Sequence, residues 1–129
     1  MKPDAVFDPV ALKGVPILVV EDVWQVANAL KRVLEQLEIT VLGPTGTAME
    51  ARRLVADQRP VAALVDVNLK GEMAWGLIDE LCEQDIRVVV ISGYAQPMAP
   101  TTRPIAYLQK PFAEAELMAA LHAIVGEAS

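Results

Sequence analysis

The chain has 129 residues, 53% of them hydrophobic, and a formal net charge of −6 from 11 basic and 17 acidic side chains. That is one domain's worth of sequence, long enough to bury a core, and with a mean hydropathy of +0.34 it is too apolar for an intrinsically disordered segment. No basic run supplies the cationic face that displaces phosphate counterions, which speaks against direct nucleic-acid binding.

The longest apolar runs, such as 61–65 and 88–91, are far too short to cross a bilayer, so no membrane association is expected. The first ten residues hold no continuous apolar stretch of the kind a secretory signal needs. Cys82 is the single cysteine and suggests a reducing, cytoplasmic compartment. With one cysteine and one histidine, soft-metal sites are out of reach, and any metal should be hard and held by oxygen.

Residues 1–13, with Pro3 and Pro9, read as an N-terminal extension to a domain over 14–129. Residues 15–20 form a β-branched apolar run ending in Glu21-Asp22, a strand buried on both faces. From 23 to 37 the period changes: Val23, Val26, Leu30, Val33, Leu34 and Leu37 recur at threes and fours, an amphipathic helix with Asp22 at its N-cap position. Residues 39–42 are a second strand, stopped by Gly43-Pro44. Thr45 or Thr47 caps a helix to about 57, with Ala51, Leu54 and Val55 inward, and Arg59-Pro60 ends it. A third strand over 61–65 ends on Asp66. Residues 68–74, with Gly71, read as a loop, and 75–83 as a helix with Leu77, Ile78 and Leu81 on one side. The fourth strand, 87–91, ends on Ser92-Gly93.

The alternation then breaks. Residues 94–103 hold Pro97 and Pro100, with Pro104 following, too many prolines for a crossover helix. A fifth strand over 105–109 ends at Lys110-Pro111. A last helix runs from 113 to about 125, with Leu117, Ala120, Leu121 and Ile124 inward and Gly126 as its stop. Alternating strands and helices with fully apolar strands predict an α/β fold with a parallel sheet covered on both faces.

In such a sheet ligands bind beyond the carboxyl ends of the strands. There stand Glu21-Asp22, Asp66, Ser92 and Lys110. Three crowded carboxylates disfavour one another's ionisation and need offsetting charge. A hard divalent cation such as Mg²⁺ (or Mn²⁺) and the Lys110 ammonium would supply it. A cation, a lysine, a hydroxyl and an aspartate left free to attack phosphorus make a site for a phosphoryl group.

The motifs VVED, LVDVNLKGE, ISGY and LQKPF, each at a strand end, resemble the response-regulator receiver domain of two-component signalling. Asp66 follows Asp22 by 44 residues, Ser92 follows Asp66 by 26, and Lys110 follows Ser92 by 18. The resemblance covers about 15–125. It implies a flavodoxin-like, doubly wound sheet of order 2-1-3-4-5. It makes Asp66 the phosphoacceptor, with Glu21, Asp22, Asp66 and the Asn68 backbone carbonyl on Mg²⁺. Asn68's side chain would face incoming water and tune dephosphorylation. Ser92 would be the switch hydroxyl, Lys110 the phosphoryl-binding cation, Lys110-Pro111 a cis peptide, and Tyr107 the switch aromatic, a role Tyr94 could share.

One departure from the family is a fourth helix shortened or missing. With the SGY turn and the prolines, it resembles a single-domain alphaproteobacterial subgroup called FATGUY. The resemblance implies a histidine kinase or histidine phosphotransfer protein as donor and a further protein as reader, with no output domain expected after 126. Self-phosphorylation with at most slow autodephosphorylation is expected, not turnover. Two other readings compete: a pseudo-receiver that binds partners without phosphorylation, and an aspartyl phosphatase similar to haloacid dehalogenases. The second would want an acid where Asn68 stands.

Outside the site, the expectations are plain. Trp24 and Trp75 pack on a helix face or partly cover the acidic edge. His122 is a surface or packing residue, Cys82 a buried thiol, and Arg52-Arg53 a solvated helix face.

Overall fold

The computed structural model describes residues 12–93 and 106–125, the side chains of 124 and 125 excepted. Strand β1 is Pro16–Val20, followed by helix α1 (Trp24–Gln36), β2 (Thr40–Thr45), α2 (Ala48–Gln58) and β3 (Ala62–Asp66). Then come β4 (Asn68–Leu69), β5 (Glu72–Met73), α3 (Trp75–Glu83), β6 (Arg87–Ser92), β7 (Ala106–Gln109) and α4 (Glu114–Val125). Five strands pair in parallel in the order β2-β1-β3-β6-β7, which is the predicted order for the five main strands. The expectations for the fourth helix and for Tyr94 fall in 94–105, outside the described residues.

The central strands β1, β3 and β6 are apolar between their ends because each serves two cores. Leu18, Val20, Ala63, Val65, Val88 and Val90 point to one face, where Ala51 and Val55 of α2 and Leu77, Ile78, Leu81 and Cys82 of α3 cover them. Their neighbours Ile17, Val19, Ala62, Leu64, Val89 and Ile91 point to the other, under Leu30 and Leu34 of α1 and Leu117 and Leu121 of α4. Successive strand residues alternate between faces, so no position on these strands is left for a polar residue until the strand ends. Leu12, from the predicted extension, is buried in the second core.

Four local expectations need correction. Gly43-Pro44 does not stop β2. The strand passes through it, with Leu42 opposite Leu18 and Thr45 opposite Val20, so β2 carries one extra residue there. Gly43 makes this possible at φ +94, where a Cβ would stand 2.9 Å from the Thr45 nitrogen. Residues 68–74 are not a plain loop, because β4 and β5 pair antiparallel around Lys70 (φ 52) and Gly71 (φ 87), two consecutive left-handed residues as a tight primed turn requires. Asp22 does not cap α1, whose N-cap is Val23 with no side-chain bond. Val23, counted in the apolar stripe, precedes the helix and is 44% exposed. Of the two candidate caps for α2, Thr47 is the one used: its hydroxyl accepts from the Glu50 amide at 3.2 Å.

Candidate functional site

Because β1, β3, β6 and β7 run parallel, their carboxyl ends share one edge. The described residues that are both buried and polar or charged are Glu21, Thr45, Asp66 and Ser92, and each lies at the carboxyl end of a strand or one residue past it. Lys110 follows β7 directly, and its backbone amide donates to the Ser92 carbonyl at 2.7 Å, which draws the ends of β6 and β7 together.

The side chains converge. Lys110 Nζ lies 2.7 Å from Asp66 Oδ2 and 3.1 Å from Glu21 Oε1. One carboxylate oxygen each from Glu21, Asp22 and Asp66 lie within 4.8 Å of one another. Backbone amides hold the acids in place. Asn68 donates to Asp66 Oδ1 at 2.8 Å, Val23 to Glu21 Oε2 at 3.1 Å, and Lys70 at the hairpin tip to Asp22 Oδ2 at 3.0 Å. Asp22 therefore gives up the helix cap because its carboxylate serves the site. The Asn68 carboxamide oxygen accepts from the Gly71 amide, which ties it back into the hairpin.

Glu21 Oε1 is buried and makes no hydrogen bond, with Lys110 Nζ beside it at 3.1 Å as an ion-pair partner. Burial pushes the Glu21 carboxyl up to about 7, and the Asp66 charge adds to this, while the Val23 amide and Lys110 pull the other way. Burial draws the Lys110 ammonium down, but the Asp66 and Glu21 carboxylates beside it outweigh that and leave its pKa raised. An all-oxygen donor set with an unbonded buried oxygen and excess negative charge fits a hard divalent cation. Asp22, Asp66, Asn68, Gly93 and Lys110 line an open cleft of about 470 Å³ above these groups.

Ser92 is 1% exposed at the end of β6, one residue past the partner of Asp66. Tyr107 lies on β7 opposite Val90 and is exposed. The Lys110-Pro111 peptide is cis, as expected. Trp75 packs against the core, whereas Trp24 is exposed beside the acidic pair. Arg52 is not merely solvated, since it pairs with Glu80 of α3. No helix among the described residues is long and apolar enough to cross a membrane. Sequence reasoning missed the backing of the acidic pair by Thr45 and Gly46, although Gly46 and Thr47, the two residues between β2 and α2, were a signal for a built turn.

Among curated proteins no relative matches. Solved structures do. The chain is 34% identical to SdrG from Sphingomonas melonis, covering 88% of this chain and 97% of that one at a TM-score of 0.74. The PhyR response regulator receiver domain of Erythrobacter litoralis is 22% identical, with 90% and 93% covered and a TM-score of 0.79. A response regulator from Burkholderia pseudomallei, described with a phosphorylated aspartic acid and a calcium ion, is 27% identical, with 88% and 70% covered and a TM-score of 0.71. The chain spans about half the length of PhyR from Brucella abortus. The family model for the response regulator receiver domain matches residues 17–122. With a five-stranded parallel sheet and Glu21, Asp22, Asp66 and Lys110 gathered at its carboxyl edge, the chain belongs to the response regulator receiver family.

Proposed function

We propose that this domain is a phosphoacceptor switch in which Asp66 takes a phosphoryl group from a phosphohistidine on a kinase or phosphotransfer protein. The observation that carries the reading is the contact between Lys110 Nζ and Asp66 Oδ2 at 2.7 Å beside an acidic cluster open to the cleft. An Asp66 carboxylate oxygen attacks phosphorus in line. The new O–P bond forms as the N–P bond breaks, and the imidazole leaves with the electron pair and takes up a proton. Lys110 pairs with a phosphoryl oxygen, and the Ser92 hydroxyl donates to another. Glu21, Asp22, Asp66 and the Asn68 carbonyl would hold Mg²⁺, which supplies positive charge to the phosphoryl oxygens.

The product carries a charge of about −2 where the Asp66 carboxylate carried −1, at an edge where Lys110 and Ser92 are close. Drawing those groups inward gives the two states different surfaces, with Tyr107 as the switch aromatic, a role Tyr94 could share, and a partner protein reads the difference. The role is that of a signalling switch in the cytoplasm, not a turnover enzyme. Assignment to the single-domain FATGUY subgroup rests on the SGY sequence that begins at Ser92 and on the prolines that follow it in the chain. The phosphorylated aspartate of the Burkholderia pseudomallei regulator supports the same chemistry here.

The test is intact mass after incubation with Mg²⁺ and acetyl phosphate or phosphoramidate. One added phosphoryl group that Asp66→Asn abolishes is the expected result. No adduct from any donor, including a phosphorylated phosphotransfer protein, would overturn the reading in favour of a constitutive interaction module.

A further inference from the structure

The acidic pair is held from behind by a segment with no side chain in the cleft. The extra residue at Gly43-Pro44 leaves Thr45 opposite Val20, the last residue of β1 and the neighbour of Glu21. The Thr45 carbonyl accepts the Glu21 amide at 2.8 Å. The next residue, Gly46, packs on Asp22 itself, where a Cβ would lie 3.3 Å from the Asp22 Cα and 3.6 Å from its Cβ. The first distance is tighter than ordinary van der Waals contact, so a larger residue here presses on the Asp22 backbone and calls for a shift of a few tenths of an ångström between the turn and Asp22.

The segment is itself braced. The Thr45 hydroxyl, in a residue 5% exposed, donates to Glu50 Oε1 at 2.6 Å and accepts from the Thr47 amide at 3.4 Å. Thr47 is the N-cap of α2 and accepts from the Glu50 amide. Thr47 and Glu50 have capping-box spacing, yet the Glu50 carboxylate reaches the Thr45 hydroxyl. The start of α2 is thereby tied to the turn that supports Glu21 and Asp22.

We propose that the turn from Gly43 to Thr47 positions the acidic pair, with Gly46 setting where the Asp22 carboxylate stands and therefore how tightly the site takes a divalent cation. This rests on the reading of Glu21 and Asp22 as cation ligands. Mg²⁺ tolerates little error in its ligand geometry, so a displacement of a few tenths of an ångström at Asp22 is felt in affinity.

The experiment is calorimetric titration with Mg²⁺ of the unphosphorylated protein and of Gly46→Ala, alongside urea unfolding of each. Gly46→Ala is expected to raise the Mg²⁺ Kd about tenfold, the lower end of what removing an orienting partner costs, with an unfolding midpoint close to the parent's. Gly76→Ala, a change into open space on α3, is expected to leave the Kd unchanged. A folded Gly46→Ala protein with the parent's Kd overturns the proposal. Should Gly46→Ala not fold, Glu50→Ala loosens the same turn from an exposed position and should raise the Kd about threefold, and an unchanged Kd there overturns it equally. A parent that takes up no Mg²⁺ sinks the cation-site reading itself, whereas a parent that binds, with variants that bind equally well, sinks the positioning role alone.

Discussion

Arg52 on α2 and Glu80 on α3 meet at 2.7 Å, and so do Lys110 and Asp66 at the carboxyl edge of the sheet. The first pair has the better geometry, with a second contact from Arg52 Nη2 to Glu80 Oε2 at 3.0 Å. Its side chains are about half exposed, so water competes for both charges and salt screens them. In the second pair the Asp66 side chain is 7% exposed, and the neighbouring Glu21 side chain is fully buried. Equal distances thus describe unlike interactions. Arg52–Glu80 trims the surface between two helices, while Lys110 offsets charges that have lost their solvent.

Several substitutions test that contrast, beginning with the largest effect. Lys110→Met keeps the aliphatic stem and removes the charge. It should slow phosphorylation by acetyl phosphate on the order of 100-fold, as loss of a charge-stabilising group at a reacting oxygen does. Without metal it should also destabilise the fold by about 2 kcal/mol at neutral pH, since two carboxylates are left buried without their cation. Saturating Mg²⁺ should shrink that stability loss, because a bound cation takes over the offset. A loss in urea midpoint that Mg²⁺ leaves untouched would refute charge offset as the role of Lys110.

Glu21 gives the pH dependence. Its carboxyl is raised from 4.5 to about 7 in the folded domain. Between those values the folded form keeps a proton that the unfolded chain has released. The contribution of Glu21 to stability is therefore full below about 4.5, falls as the pH rises to about 7, and is flat above. Metal-free protein should have a lower urea midpoint near pH 8 than near pH 5. Glu21→Gln should flatten that slope and add on the order of 2–3 kcal/mol near pH 8. Mg²⁺ uptake by the parent should release protons near pH 6 and far fewer near pH 8. A parent whose midpoint rises from pH 5 to pH 8 would refute the sign.

The smallest effect belongs to the exposed pair. Arg52→Met should change stability by about 0.5 kcal/mol or less in unfolding at moderate salt. It should leave phosphorylation unchanged. A loss comparable to that of Lys110→Met would erase the distinction between the two pairs.

The sequence was most legible where periodicity and burial agree. Helix α3 occupies 75–83, the bounds that its apolar spacing indicates, and the main strands follow their β-branched runs. It was least legible where a residue has two employers. Asp22 had the right type and place for a helix cap, but Lys70, 48 positions away, claims its carboxylate instead. Gly43-Pro44 has the composition of a stop, and only pairing with β1 on the inner side keeps the chain extended through it. The hairpin over 68–73 has two residue pairs, too few for any alternating pattern to register.

The amino-acid sequence by itself determined the alternation of strands and helices, the double-sided burial of the central strands and the set of polar residues at their ends, because apolar period and residue type are local properties. The strand order followed from the resemblance of the motifs to the receiver family. Tertiary structure alone decided how those end residues are shared out: that Lys110 pairs with Asp66 and Glu21 together, that Glu21 Oε1 is buried with no hydrogen bond, and that Thr45 and Gly46 back the acidic pair. Those outcomes depend on distances between segments far apart in the chain, and no local pattern of residues encodes a distance.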